Sequence, residues 1–179
     1  EKRTESLQDL SQAITVLNGE DLDNRQISTF VDISAIAPGV NIAKNEGFKT
    51  VITIRGVGYE TNQNAIATPS VSYHLDGIYV ASPYSLQTDF MDLERIEVLR
   101  GPQGTLFGQN STGGAINVIT AAPSTDSSFG SADLTVGDYG LVKFRASYKT
   151  TLSENLAVRG SCISNKRDGF TENLSLGQD

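Results

Sequence analysis

The chain carries one histidine, His74, and one cysteine, Cys162, which fixes much of the chemistry it can do. A Ser–His–Asp site would have to be built on His74 alone. Neither a Cys/His zinc cluster nor an internal disulfide can form. The Gly-rich stretch from Gly101 to Gly114 invites a phosphate-loop reading. A Walker loop, however, needs Gly-x-x-x-x-Gly-Lys-Ser/Thr, and no lysine stands between Lys49 and Lys143. No Gly-x-Gly-x-x-Gly bridges a strand and a helix, and Gly108–Gly113 misses the Gly-x-Ser-x-Gly elbow by spacing. The tight packing of backbone explains these glycines better than a ligand does. The sequence therefore predicts no enzyme, no catalytic residues, no resident metal and no cofactor.

His74 alternates with Ser72 and Asp76 against Val71, Tyr73 and Leu75. A lone histidine on a polar strand face reads as a solvated or hydrogen-bonded surface residue, and Asp76 as turn chemistry. Cys162 reads as a small apolar side chain. Arg55 and Arg100 stand apart, because each ends an apolar strand (Val51–Ile54 and Ile96–Leu99) and is followed by glycine. An arginine close to buried backbone ordinarily needs a carboxylate. Surface exposure at the strand ends and an ion pair with another domain are both open readings.

These side chains must be positioned by a chain of 179 residues with 14 Lys+Arg against 21 Asp+Glu. The net charge of −7 argues against a nucleic-acid partner. Residues 1–120 hold 8 basic and 14 acidic side chains, and residues 121–179 hold 6 and 7. The hydrophobic pattern changes at the same place, around the polar breaker Ala121-Ala122-Pro123-Ser124-Thr125-Asp126, which divides the chain into domains at 1–122 and 123–179.

The first domain reads as α+β, with a small mixed sheet and short helices. Ile14–Leu17 is a brief strand, and Glu20, Asp21 and Asp23 place negative charge where a helix N-terminus favours it. A second helix is expected from Thr29 to Ala37. Thr29 and Asp32 form its capping box, Phe30, Ile33 and Ala37 its buried face, and Pro38-Gly39 its stop. Val51–Arg55 is strand-like. Val71–Leu75 and Ile78–Val80 flank Asp76-Gly77, a strong hairpin signal because both central positions accept φ > 0. Further strands are expected at Arg95–Leu99 and Ala115–Thr120.

The second domain alternates with a period of two. Ala132, Leu134 and Val136 oppose Ser131, Asp133 and Thr135; Val142, Phe144, Ala146 and Tyr148 oppose Lys143, Arg145, Ser147 and Lys149. Leu156, Val158, Gly160 and Cys162 oppose Ala157, Arg159, Ser161 and Ser164 less cleanly. Each segment reaches about 9–11 residues, enough to cross a bilayer at a tilt. Apolar outside with Lys and Arg inside is the pattern of a membrane barrel with a wet lumen. Three such strands cannot close a barrel, since about eight is the practical minimum, so unless the chain oligomerises the barrel is incomplete in these residues.

Leu93-Glu94-Arg95-Ile96-Glu97-Val98-Leu99-Arg100-Gly101-Pro102-Gln103-Gly104-Thr105-Leu106-Phe107-Gly108, followed by Ser111–Thr120, resembles the plug-domain signature of TonB-dependent outer-membrane receptors. Ile54–Gly58, Leu75–Tyr79 and Glu5–Asp9 resemble earlier plug motifs. The resemblance covers residues 5–122, and residues 128–179 are similar to the first antiparallel transmembrane strands of the barrel that follows. It implies a barrel of about 22 strands around the plug, in the outer membrane of a Gram-negative bacterium. It also implies active import of a ferric siderophore, cobalamin or glycan, driven by TonB with ExbB and ExbD. No TonB box is recognisable.

In the family, the plug arginines matching Arg55 and Arg100 contact barrel glutamates. Plug loops matching Gly58–Pro69 (Tyr59, Asn62, Gln63, Asn64), Ala81–Thr88 (Tyr84, Gln87) and Phe107–Ser111 (Phe107, Gln109) face the ligand. The alternative is a soluble periplasmic binding or signalling module with a plug-like fold.

Overall fold

The computed structural model describes residues 13–45, 49–58, 69–82, 85–86 and 89–169. They form two compact units, divided between Ala121 and Ala122.

In the first unit, β1 (Ala13–Asn18) runs straight into α1 (Gly19–Asn24) because Asn18 caps the helix, its Oδ1 accepting from the Asp21 N–H at 2.8 Å. The next helix, α2 (Phe30–Ile33), is shorter than the expected Thr29–Ala37. Beyond Ile33 the chain tightens into i→i+3 bonds, Ser34 to Val31, Ala35 to Asp32 and Ile36 to Ile33. Ala37 precedes proline, which disfavours α geometry there, and the tighter winding still buries Phe30, Ile33 and Ala37 together.

The Asp32 side of the capping box is strong. One carboxylate oxygen accepts from Ser28 N at 3.0 Å, Thr29 N at 2.8 Å and Thr29 Oγ1 at 2.9 Å. Asp32→Ala is expected to cost about 1–2 kcal/mol. It should appear as faster hydrogen exchange at Ser28 and Thr29, with Asp32→Asn retaining part of the protection.

Two sheets complete the unit. β2 (Val40–Asn45), β3 (Lys49–Ile54) and β4 (Val57–Gly58) pair antiparallel in that order. The larger sheet contains β5 (Val71–Leu75), β6 (Ile78–Tyr79), β7 (Leu93–Arg100) and β8 (Gly114–Thr120), in the order β1-β7-β8-β5-β6. Only β5 and β8 are parallel. The Asp76-Gly77 turn forms as expected, with φ of 50° and 79°. One face of the sheet (Val71, Tyr73, Ile96, Val98, Ile116, Val118) packs on Phe30, Ile33, Ile42 and Ile54. Phe30 meets Tyr73 and Phe90 edge-on, with ring centroids 4.9 and 4.7 Å apart. The opposite face carries α3 (Gly104–Phe107) and its flanking loop.

The second unit is an antiparallel sheet of β9 (Phe129–Gly137), β10 (Leu141–Ser153) and β11 (Leu156–Lys166), with β10 central. Register places Leu134 opposite Phe144 and Val136 opposite Val142 on one face. These four side chains, with Tyr148 and Leu152, remain exposed. The other face holds Asp133 beside Arg145 at 3.8 Å and Ser131 bonded to Ser147 at 2.9 Å. Ser164 pairs with Phe144 and so belongs to the apolar face, not the polar one expected for it. No register shift interrupts β11 between Ala157 and Lys166, so parity places Ile163 opposite Arg145 instead.

Candidate functional site

Arg55 and Arg100 are brought to one turn of the first unit. Arg55 occupies the β3–β4 turn at φ 53°, ahead of Gly56 at φ 77°. Its backbone N–H donates to Gly39 O at 2.7 Å, and its side chain is exposed. Arg100 reaches the residue before Gly39, Nη1 donating to Pro38 O at 3.2 Å. Its remaining donors go to Ala13 O (Nε, 3.3 Å) and Thr15 Oγ1 (Nη2, 2.6 Å) on β1. The Arg100 guanidinium thus lies on neutral acceptors of its own unit. A non-glycine residue held at positive φ costs of order 1 kcal/mol, and the Arg55 turn maintains that conformation while holding a cation in solvent.

The loop from Gly101 to Gly114 is held by backbone. Gly101 N bonds Gly113 O (3.1 Å), Gln103 N bonds Ser111 O (2.8 Å) and Gly113 N bonds Ser70 O (2.8 Å). Ser111, fully buried, donates to Gly108 O at 2.6 Å. Of the side chains expected to face ligand, Phe107 is half-buried and Gln109 is exposed on the turn after α3. Tyr59, Asn62, Gln63, Asn64, Tyr84 and Gln87 lie outside the described residues.

Phe107 lines a cavity of about 380 Å³, together with His74, Gly77, Tyr79, Glu97, Leu106 and Asn117. Strand register explains the grouping. Glu97 pairs with Asn117, Asn117 with His74, and His74 with Tyr79, one polar row across four strands. His74 is 4% exposed, not the surface side chain expected from alternation. Alternation gives its face of the sheet, but Phe107 covers that face, ring centroid 4.9 Å from the imidazole and inclined at 62° to it.

Burial pushes the His74 pKa below its ordinary value, and a hydrogen bond with the Phe107 backbone opposes that shift in part. Burial, helped by the charge of Asp76, pushes the Tyr73 phenol on the other face up to about 12. Glu97 accepts from Arg95 Nε at 2.8 Å and from Asn117 Nδ2 at 3.1 Å, and Arg95 also pairs with Glu94. The hydrogen bond to Glu97 raises the Arg95 pKa most, so the guanidinium stays charged.

Sequence reading missed Glu97, Asn117 and Tyr79. The available signal was an asparagine between Ile116 and Val118, a polar side chain in the middle of an apolar strand. Among the described residues no group of three His, Cys, Asp or Glu side chains could hold a metal ion.

The profile of the TonB-dependent Receptor Plug Domain matches residues 6–115. The chain is 33% identical over 114 residues to the pesticin receptor of Yersinia pestis, covering 62% of this chain and 16% of that receptor. Over 190 residues it is 30% identical to the ferric enterobactin receptor PirA of Pseudomonas aeruginosa, covering 95% of this chain and 26% of the relative. The crystal structure of the ferric yersiniabactin uptake receptor FyuA from Yersinia pestis superposes with a TM-score of 0.82 at 25% identity. That match takes in 94% of this chain and 26% of FyuA. The chain therefore spans about a quarter or less of the relatives it matches, and it belongs to the TonB-dependent outer-membrane receptors, as a plug domain followed by antiparallel strands of the barrel.

Proposed function

We propose that these residues gate and help load an outer-membrane receptor that imports a ferric siderophore, with TonB, ExbB and ExbD supplying energy from the inner membrane. The observation that carries this reading over a soluble periplasmic module is the β9–β11 sheet. Leu134, Val136, Val142, Phe144 and Tyr148 share one exposed apolar face. A sheet of 9, 13 and 11 residues with that face open is suited to lipid and costly in water.

The siderophore class follows from relatives named for ferric enterobactin and ferric yersiniabactin. In this reading Arg55 and Arg100 present the plug to barrel carboxylates. Tyr59, Asn62, Gln63, Asn64, Tyr84, Gln87, Phe107 and Gln109 offer hydrogen bonds and stacking to a polar cargo. The test uses the parent protein in its own membrane. A heat-shifted gel mobility in the outer-membrane fraction is expected, with uptake of siderophore-bound radioactive iron that stops when the proton gradient is dissipated. A species of unshifted mobility in the soluble periplasmic fraction would overturn the transporter reading.

A further inference from the structure

The cavity beside Phe107 has a polar inventory of one kind. His74 Nδ1 and Asn117 Oδ1 are buried and have no hydrogen-bond partner among the described residues. Asn117 Oδ1 is an acceptor, and so is His74 Nδ1 in the neutral tautomer that carries its proton on Nε2. They stand on paired residues of β5 and β8, and while Nδ1 carries no proton neither can donate to the other. An unsatisfied buried acceptor costs about 1–3 kcal/mol, which makes the pair a strong receptor for hydrogen-bond donors.

Charge and shape narrow the donor further. Arg95 stands between two carboxylates, Glu94 and Glu97, which leaves one negative charge uncompensated in that trio, and Glu97 lines the cavity. Tyr79 and Phe107 supply aromatic faces, and Tyr79 Oη already accepts from Asn110 Nδ2 at 2.8 Å. A hydroxyl guest donates one hydrogen bond and carries no charge. An ammonium donates three and a guanidinium five, and both are attracted to carboxylates and to ring faces. At about 30 Å³ per water, the cavity volume is that of about a dozen waters, room for such a head group with a short alkyl tail.

We propose that the cavity lined by His74, Asn117, Glu97, Tyr79 and Phe107 is a binding site for a primary ammonium or guanidinium group. The guest donates to His74 Nδ1 and Asn117 Oδ1 at the buried end, with its charge beside Glu97 and its alkyl stem along Phe107 and Leu106. The site shares Phe107 with the side chains proposed to meet the cargo, while His74, Asn117, Glu97 and Tyr79 belong to the sheet alone.

Protonation of His74 competes with this guest. The groups facing the imidazole are Asn117 on β8, Tyr79 on β6 and Phe107 on α3, with Glu97 on β7 one strand further and Asp76 in the adjoining turn. A proton on Nδ1 removes one acceptor, donates to Asn117 Oδ1 and so removes the second, and adds a like charge. His74 titrates below its ordinary value. Binding should therefore be complete near neutrality and weaken as pH falls below the unperturbed histidine range of about 6.5.

The experiment titrates the full-length receptor in detergent with butylammonium and with ethylguanidinium, and with butanol and butyrate as controls. Saturable heat is expected for the two cations only, weakened at least tenfold in Asn117→Leu and in Glu97→Gln, and weakened again from about pH 7.5 to about pH 5. Diffraction from receptor crystals soaked with ethylguanidinium reports the site without any substitution. A guest nitrogen at about 3 Å from both His74 Nδ1 and Asn117 Oδ1 is expected. Ordered water alone in the cavity, equal heats from all four probes, or cation binding unchanged in the folded Glu97→Gln receptor would each overturn the proposal.

Discussion

Gly114→Ala is expected to disrupt the plug. Gly114 opens β8 at φ 151°, a conformation L side chains rarely adopt. A Cβ placed there overlaps Leu99 O and comes within 2.8 Å of Ile54 Cδ1. The first neighbour is backbone of the interior strand β7, and the second belongs to a side chain with no exposed surface. Neither can move aside cheaply. Backbone strain of about 2 kcal/mol and overpacking of similar size bring the expected loss to about 4 kcal/mol, a large share of an ordinary domain's stability.

In the full-length receptor this should appear as loss of hydrogen-exchange protection across Leu99, Ala115 and Ile116 and as cleavage of the plug by protease. Gly104→Ala is the matched control, because a Cβ at Gly104 meets nothing within 4 Å. It should leave protection unchanged or slightly improved. Equal behaviour of the two variants would mean that the Gly114 contact is not the constraint the geometry describes.

What was legible in the sequence was whatever depends on near neighbours. The β5–β6 hairpin is written locally, because alternation supplies the strands and Asp76-Gly77 supplies both positive φ values. The same holds for β10, where Val142, Phe144 and Tyr148 face away from Lys143, Arg145 and Lys149. The Asp32 cap was visible for the same reason, while the length of α2 was not, since packing of Ala37 and the following proline decides it.

His74 shows where local reading fails. Its face of the strand follows from parity, but its exposure is set by Phe107, which lies far along the chain and covers that face only after the sheet has formed. Arg55 fails differently. An Arg-Gly pair has no turn preference of its own, and the left-handed arginine is imposed by the tight link from Ile54 to Val57 and by the bond to Gly39 O. Asn117 combines both problems, being an ordinary strand residue until register sets it between Glu97 and His74.

Arg100→Ala should act on β1 before it acts on the rest of the plug. Among the described residues β1 is an edge strand, paired only with β7, and its first residue, Ala13, lies opposite Arg100. The guanidinium closes that end of the ladder by holding Ala13 O and Thr15 Oγ1, and it ties the same point to Pro38 O. Removing it leaves backbone pairing alone where fraying starts, at an expected cost of about 2 kcal/mol for the lost charged donors.

Local opening of an edge strand needs less free energy than global unfolding. The amides of Ala13 to Val16 should therefore exchange at least tenfold faster, while those of Ile116 and Val118 hold. Arg100→Lys should recover only part of the protection, because one ammonium cannot span three acceptors that a planar fork reaches together. If the chain preceding β1 transmits the pull of TonB, as the proposed function holds, the variant should also admit large antibiotics while still binding its siderophore. Uniform loss of protection through β8 would instead make Arg100 part of the general core. Unchanged exchange at Ala13 would mean that the backbone ladder alone secures the strand.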